Sequence, residues 1–412
     1  MRLLIVGTNF SPEKIGIGKY TAEMVEWLAK RGHKLRVVTA PPYYPEWYVG
    51  DGYTSWFYSY ETMCEAEVWR CPLWIPKKLS GLKRLLHLAS FALSSFPVVL
   101  GHTLWRPDVV IVIEPPLMCS PIAWFTARLS GANAWLHIQD FEVDAAFDLG
   151  ILPPGPLRRW ILVVERWLMS GFDRVSTISP KMLEKLLDKG VSTASTVLFP
   201  NWVDLRQIVP QLDDGKLRRE LGIPFNKLVA LYSGNMGEKQ GLEVLLEAAR
   251  LAQGDERVLF VLCGDGASRQ RLQTAYGDLP NVCWFPLQPA ERLNELLSLA
   301  DIHLLPQRAD VADLVMPSKL TGMLASGRPV LATAHPGTQV ADIVAQCGIV
   351  SPPGDAAMLW RSLKELAEAH DKRAELGQKA RSYAENFLGQ DAVLSQFEME
   401  LLAIVDAGHA IG

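Results

Sequence analysis

Short, almost purely apolar runs alternate with amphipathic stretches along most of the chain. Residues 3–6, 35–39, 109–113, 134–138, 174–178 and 196–199 read as buried strands. Between the first two, residues 20–31 place Met24, Val25, Trp27 and Leu28 at helical spacing, and Gly32 ends the helix. The second half repeats the scheme, with strands at 228–233, 258–263, 282–285, 302–305 and 330–333 and helices at 242–252, 269–276 and 292–299. Apolar strands separated by helices imply parallel sheets covered on both faces. The pattern therefore predicts an α/β protein of two Rossmann-like domains, residues 1–205 and 227–385. A polar linker at 206–226 carries Pro210, Gly215 and Pro224, and a strandless helical tail closes the chain, its last part a C-terminal helix at 386–412. In sheets of this kind ligands sit beyond the carboxyl ends of the strands, which puts the chemistry in the strand-to-helix loops and a ligand between the two domains.

Composition narrows the function classes. The chain has 412 residues, 41 Lys+Arg against 45 Asp+Glu, and a net charge of −4, which argues against binding nucleic acid by bulk positive charge. With 49% hydrophobic and 21% charged residues it is no disordered chain. Its six cysteines form no C-x-x-C pair and its eight histidines no H-E-x-x-H, so free thiols in a reducing compartment and no bound metal are expected. The apolar run at 3–6 is too short for a signal peptide, which places the chain in the cytoplasm. Residues 85–100, LLHLASFALSSFPVVL, follow Lys77, Lys78, Lys83 and Arg84. They are too few for a spanning helix and read either as a core helix or as one docked on the inner membrane surface, its basic residues on anionic head groups. Tyr43, Tyr44, Trp47, Tyr53, Trp56, Phe57 and Trp74 nearby suit an interfacial belt, a sugar-stacking surface or plain core.

Four loops carry candidate chemistry. TNFSPEKIGIG places Gly16 and Gly18 before a helix whose free amides favour an anion; Thr21 breaks any G-x-G-x-x-G fingerprint, which counts against a dehydrogenase. SGNMGEKQG exposes the backbone at Gly234, Asn235, Gly237 and Gly241 and adds Lys239 at a helix start, where a cation belongs only if an anion occupies the site. CGDG supplies Gly264, Asp265 and Gly266 directly after a strand, against which a base or ribose can lie. VMPSK puts Pro317, Ser318 and Lys319 at another helix N-terminus. In the first half, LHIQD leaves His137 and Asp140 at the end of a buried strand.

Together the segments TNFSPEKIGIGKY, LHIQD, PNWVD, SGNMGEKQGLE, CGDG, ADIHLLP and PSKLTGMLASGRPV resemble the retaining family 4 glycosyltransferases of GT-B fold, and within them the colanic acid and exopolysaccharide enzymes. The resemblance covers nearly the whole chain. It implies a metal-independent transfer, without a cofactor, from a nucleotide-sugar donor on the C-terminal domain to an acceptor on the N-terminal one. The acceptor is a saccharide, expected to be lipid-linked, and the enzyme is expected to sit peripherally on the inner membrane. Lys239 matches the lysine that neutralises the donor diphosphate, His137 the histidine near the donor sugar, and Gly16 and Gly18 the glycine-rich loop. In these enzymes the leaving phosphate takes the acceptor proton, so no carboxylate nucleophile is required, unlike in glycosidases. Two departures stand out. Asn235 occupies the place of an arginine, and Leu314 and Gly322 replace the two glutamates of the E-x7-E pair, which leaves ribose recognition to amides around Ser318, to Lys319 or to Asp313. A nucleotide-sugar 2-epimerase and a non-enzymatic nucleotide-sugar-binding protein are the competing readings.

Overall fold

The computed structural model describes residues 1–77, 80–148, 155–211, 215–308 and 317–409. Its strands are β1 (Arg2–Val6), β2 (Lys34–Thr39), β3 (Ser59–Met63), β4 (Ala66–Arg70), β5 (Val109–Glu114), β6 (Asn133–Ile138), β7 (Arg174–Thr177) and β8 (Thr196–Leu198), then β9 (Leu228–Ser233), β10 (Val258–Cys263), β11 (Val282–Phe285), β12 (Ile302–Pro306), β13 (Val330–Thr333) and β14 (Gly348–Ser351). The helices are α1 (Gly16–Lys30), α2 (Gly81–Gly101), α3 (Ser120–Ser130), α4 (Glu142–Asp148), α5 (Pro156–Ser170) and α6 (Pro180–Asp188) in the first half. In the second they are α7 (Lys216–Glu220), α8 (Glu243–Leu251), α9 (Arg269–Tyr276), α10 (Leu293–Leu299), α11 (Ser318–Ala325), α12 (Gln339–Cys347), α13 (Ala356–Glu368), α14 (His370–Phe387) and α15 (Gln390–His409).

The chain divides into two compact units, one of residues 1–200 with 394–412 and one of residues 201–393. The first holds an eight-stranded sheet in the order β3-β4-β2-β1-β5-β6-β7-β8, parallel except for the β3–β4 pair. The second holds a six-stranded, wholly parallel sheet in the order β11-β10-β9-β12-β13-β14. The predicted α/β architecture is thus the one observed, and every predicted strand is present. The β3–β4 hairpin and β14 were not foreseen: SYETM and GIVS lack the apolar runs of the central strands, because edge strands bury less. The polar stretch before β9 is counted in the second unit and contains α7, where buried Arg218 binds the carbonyls of Pro224 and Lys227 and the carboxylate of Asp301.

Double-sided burial explains the continuous strands. Along β9 and β10, Ala230, Tyr232, Phe260 and Leu262 pack into one core with α8 and α13, while Val229, Leu231, Val261 and Cys263 pack into another with Leu296 and Leu299 of α10. Alternate residues face opposite sides of a pleated strand, so both sets must be apolar. In the first unit Val109–Ile113 and Leu3–Val6 are likewise fully buried. All six cysteines are free thiols.

From Leu394 onward the last helix belongs to the first unit. Phe397 of α15 stacks on Phe199, ring centroids 4.0 Å apart, and meets Trp135 of β6 edge-on at 5.0 Å. Glu398, buried beside it, accepts hydrogen bonds from Arg31 and His33 at 2.7 and 2.8 Å. Phe397→Ala is expected to destabilise the first unit by about 3–5 kcal/mol, the usual range for a fully buried phenylalanine. The check is urea unfolding followed by two probes, because the two units need not melt together.

Candidate functional site

In the second unit the loops after β9 and β10 are zipped to one another. Gly234 N donates to Cys263 O at 2.9 Å, Met236 N to Asp265 O at 2.8 Å and Ser268 N to Met236 O at 2.9 Å. A Cβ on Gly264 would lie 1.9 Å from Gly234 O and one on Gly266 2.5 Å from Asn235 Oδ1, so only glycine permits this approach. Asp265 faces outward and its Oδ1 accepts the Gly266 amide at 2.8 Å. Gly237 precedes the 3-10 turn Glu238–Gln240, whose Glu238 accepts from Ser268 Oγ and Arg271. The Lys239 backbone lies in that turn; its side chain is outside the described residues, as are Asp313 and Leu314.

Lys319 enters the same place from the start of α11, behind Pro317 and Ser318, neither of which caps the helix with a side chain. Its Nζ lies 4.3 Å above the centre of the Tyr232 ring and donates to Tyr232 Oη at 2.9 Å. Tyr232 Oη in turn donates to the Asn235 carbonyl, and burial pushes its pKa upward. A Cβ on Gly234 would stand 3.8 Å from Lys319 Nζ, so the ammonium sits against the glycine loop. No carboxylate among the described residues pairs with it, and burial pushes its pKa down to about 8. The site thus joins Gly234, Asn235, Gly264, Asp265, Gly266 and Lys319 into one surface whose cation has no anionic partner among the described residues, an arrangement suited to a phosphate.

The first-unit candidates are placed differently. His137 is buried at the end of β6, with Nδ1 2.9 Å from Ser176 Oγ, Nε2 3.0 Å from the Gln139 side-chain amide and its ring 4.8 Å from that of Phe199. Burial pushes its pKa down to about 3, so the ring is neutral, and both nitrogens are engaged within the unit. Asp140 lines a hollow with Gly81, Arg84, Pro115 and Glu142. Behind it Glu114 is wholly buried; its Oε1 accepts the Glu142 amide at 3.3 Å and its Oε2 has no described partner. Burial, reinforced by Glu142, Glu165 and Asp140, raises the Glu114 pKa well above the usual carboxylate range. Gly16 opens α1, and Ile15 before it provides no side-chain cap. Gly18 is small for a different reason than ligand approach: a Cβ there would meet Glu13 Oε2 at 2.6 Å. That carboxylate accepts the amides of Tyr43 and Tyr44, both at 3.0 Å, and so ties the glycine loop to the loop after β2.

Tyr232, Glu114 and Glu142 were not singled out from the sequence, and Arg84 was read only as a basic residue before the apolar run at 85–100. Glu114 was findable, as the acid that ends the apolar run VVIVIE; Tyr232 reads as one more strand residue. Among the described residues no group of three or more His, Cys, Asp or Glu is placed to hold a metal ion.

Residues 16–202 match the family model of the glycosyl transferase 4-like domain and residues 213–383 that of the glycosyl transferases group 1. The chain is 44% identical over 408 residues to the putative colanic acid biosynthesis glycosyl transferase WcaI of Escherichia coli, covering 96% of this chain and 98% of that one. Among solved structures it is similar to sucrose-phosphate synthase from Thermosynechococcus elongatus, with TM-score 0.77, 17% identity and 98% and 99% of the two chains covered. It is also similar to HepE of Anabaena in complex with UDP-glucose, with TM-score 0.69, 16% identity and 98% and 100% covered. These structural likenesses support the fold, in agreement with the sheet topology.

Gly264→Ala should abolish nucleoside diphosphate binding, because the new methyl group meets the Gly234 carbonyl and parts the two loops. Calorimetry with GDP and UDP checks this, and undiminished binding would contradict the assembled site.

Proposed function

Since the chain belongs to the group 1 glycosyl transferases, with a glycosyl transferase 4-like first half, it is a glycosyltransferase, and we propose the following reaction for it. A sugar moves from a nucleotide-sugar donor, GDP-fucose foremost with a UDP-sugar as the alternative, to a lipid-linked saccharide, with retention at the anomeric carbon. The product is an intermediate of a colanic-acid-like exopolysaccharide. The 44% identity to WcaI over nearly all of both chains supports the pathway. The Lys319 ammonium, held against Gly234 with no described carboxylate, is the observation that carries the donor reading.

The donor diphosphate lies on the amides around Gly234 and Gly264 with Lys319 on one phosphate and Lys239, by its family match, on another. As the anomeric carbon–phosphate oxygen bond breaks, charge builds on the leaving diphosphate, and these preorganised cations and amides stabilise it without a metal. The acceptor hydroxyl oxygen forms the new bond to the anomeric carbon on the same face, and its proton passes to the leaving phosphate oxygen. The acceptor saccharide lies on the first unit, at the hollow lined by Arg84, Asp140 and Glu142. The enzyme works in the cytoplasm on the inner face of the membrane. In support, α2 buries His87, Leu88 and Phe91 yet turns Leu82, Leu86, Leu93 and Phe96 outward, beside Lys83 and Arg84.

The Lys319 reading makes a pH-dependent prediction. A depressed lysine pKa means that the free folded protein releases this proton near pH 8, before the unfolded chain does near 10.5. Below pH 8 the buried charge therefore opposes folding, and the penalty fades as pH rises from 8 toward 10.5. A bound diphosphate restores the proton. Nucleoside diphosphate affinity should be level below pH 8 and fall by up to about tenfold per unit above it. Lys319→Met should bind about 10–100-fold more weakly, lose that pH dependence, and melt at a higher temperature at pH 7. Calorimetry and thermal melting between pH 6.5 and 9.5 check all three, and an unchanged affinity in the variant would refute the donor reading.

A further inference from the structure

Helix α5 has two apolar faces. Leu168 and Met169 pack inward, as expected of a helix that covers a sheet. Trp160, Val163, Val164 and Trp167, spaced i, i+3, i+4 and i+7, form a second stripe that points outward, the two tryptophans 69% and 67% exposed. Single exposed apolar residues are ordinary on a protein surface, but a continuous stripe with two tryptophans is not.

The neighbouring helices continue this stripe. The connections β4 to β5, β5 to β6 and β6 to β7 step in one direction across the first sheet, so their right-handed crossovers place α2, α3 and α5 on the same face. Trp124 Nε1 and Arg128 Nη2 of α3 donate to the Gly171 carbonyl just past α5, at 2.7 and 2.9 Å. Helix α3 turns Phe125 and Leu129 outward as well. The charges on the three helices are segregated. Lys83 and Arg84 of α2, Arg128 of α3, and Arg158, Arg159 and Arg166 of α5 are cationic, and Glu165 is their one acid. Glu165 faces inward, 2% exposed, and pairs with Lys189 at 2.6 Å. In a chain of net charge −4, no acid of these three helices reaches their outer surface, and among the described residues the one acid that meets it is Asp173 just past α5, paired with Arg128 at 3.0 Å.

We propose that α5 is a second membrane-docking element beside α2. Trp160, Val163, Val164 and Trp167 enter the boundary between head groups and acyl chains of an anionic bilayer, and Arg158, Arg159 and Arg166 meet its phosphates. The charge pattern selects a bilayer over a second copy of the chain, because a two-fold contact through this stripe would set arginines of one copy against arginines of the other. The inference rests on the proposed inner-membrane reading and extends it to a helix that reading did not use.

Co-sedimentation of the full-length protein with vesicles of phosphatidylcholine, with and without phosphatidylglycerol, tests it. The wild type should bind the anionic vesicles and be released by salt. W160S/W167S should bind at least about tenfold less, and R158Q/R159Q about fivefold less for each arginine removed. Both should keep the wild-type melting temperature and nucleoside diphosphate affinity. Undiminished binding by W160S/W167S, with binding lost in L86S/L93S on α2, overturns the role of α5 and leaves the membrane reading standing. No binding by the wild type overturns both. If W160S/W167S instead converts a wild-type dimer to a monomer in sedimentation velocity, with vesicle binding unchanged, the stripe is an interface between copies and the proposal fails. Should the tryptophan variant melt early, R158Q/R159Q decides alone.

Discussion

Burial of both sheet faces governs where this protein can do chemistry. A strand such as VLFVLC packs against helices above and below, so it has no side on which a polar group can wait for a ligand. Reactive groups are driven to the carboxyl ends of the strands, where the chain leaves the sheet. Gly234, Gly264, Tyr232 and Lys319 meet there in the second unit, and Glu114, His137 and Asp140 collect at the equivalent ends of β5 and β6 in the first. A buried ammonium in such a place, with no carboxylate beside it among the described residues, raises the energy of the empty protein, and an arriving anion would release that penalty. Stability and ligand affinity are opposed at Lys319, as is common where a binding group is held ready.

The legible parts of the sequence were those that double-sided burial leaves no freedom to vary. The continuous runs LLIV, VVIVI and VLFVLC could be nothing but central strands, and the glycines after β9 and β10 had to mark close approaches. SYETM and GIVS escaped notice because an edge strand needs only one covered side. The same logic separates the site residues. Lys319 stood out as a cation at a helix start, but the ring of Tyr232 beneath it could not be foreseen, since an inward tyrosine on an apolar strand looks like core. Gly18 was legible as a special position but not for its reason, which is a carboxylate five residues upstream, Glu13, folded back against it. His137 was legible as a polar residue at a strand end; that Ser176 and Gln139 hold both its nitrogens depends on β7 and on the loop after β6, which local sequence does not relate.

The helices of the first unit resolve a tension in composition. A chain with 49% hydrophobic residues and 13 tryptophans leaves several of its large apolar side chains exposed. Many of them lie on the outer sides of α2, α3 and α5 and in the segment around Trp56 and Phe57, whereas Trp135 lies within the core. The apolar run at 85–100 is consequently neither plain core nor plain surface: one side of α2 builds the first unit and the other faces out.

The pairing of Phe397 with Phe199 has a consequence for how the chain is made. Synthesis proceeds from the N-terminus, and the strands of the first sheet emerge within the first two hundred residues. Their aromatic cluster stays incomplete until α15, which is translated after the whole second unit, is free of the ribosome. The nascent first unit must therefore persist with Phe199 and Trp135 uncovered while the whole second unit is being synthesised. Termination between residue 200 and Phe397 thus leaves a defect in the half of the protein whose strands were made first.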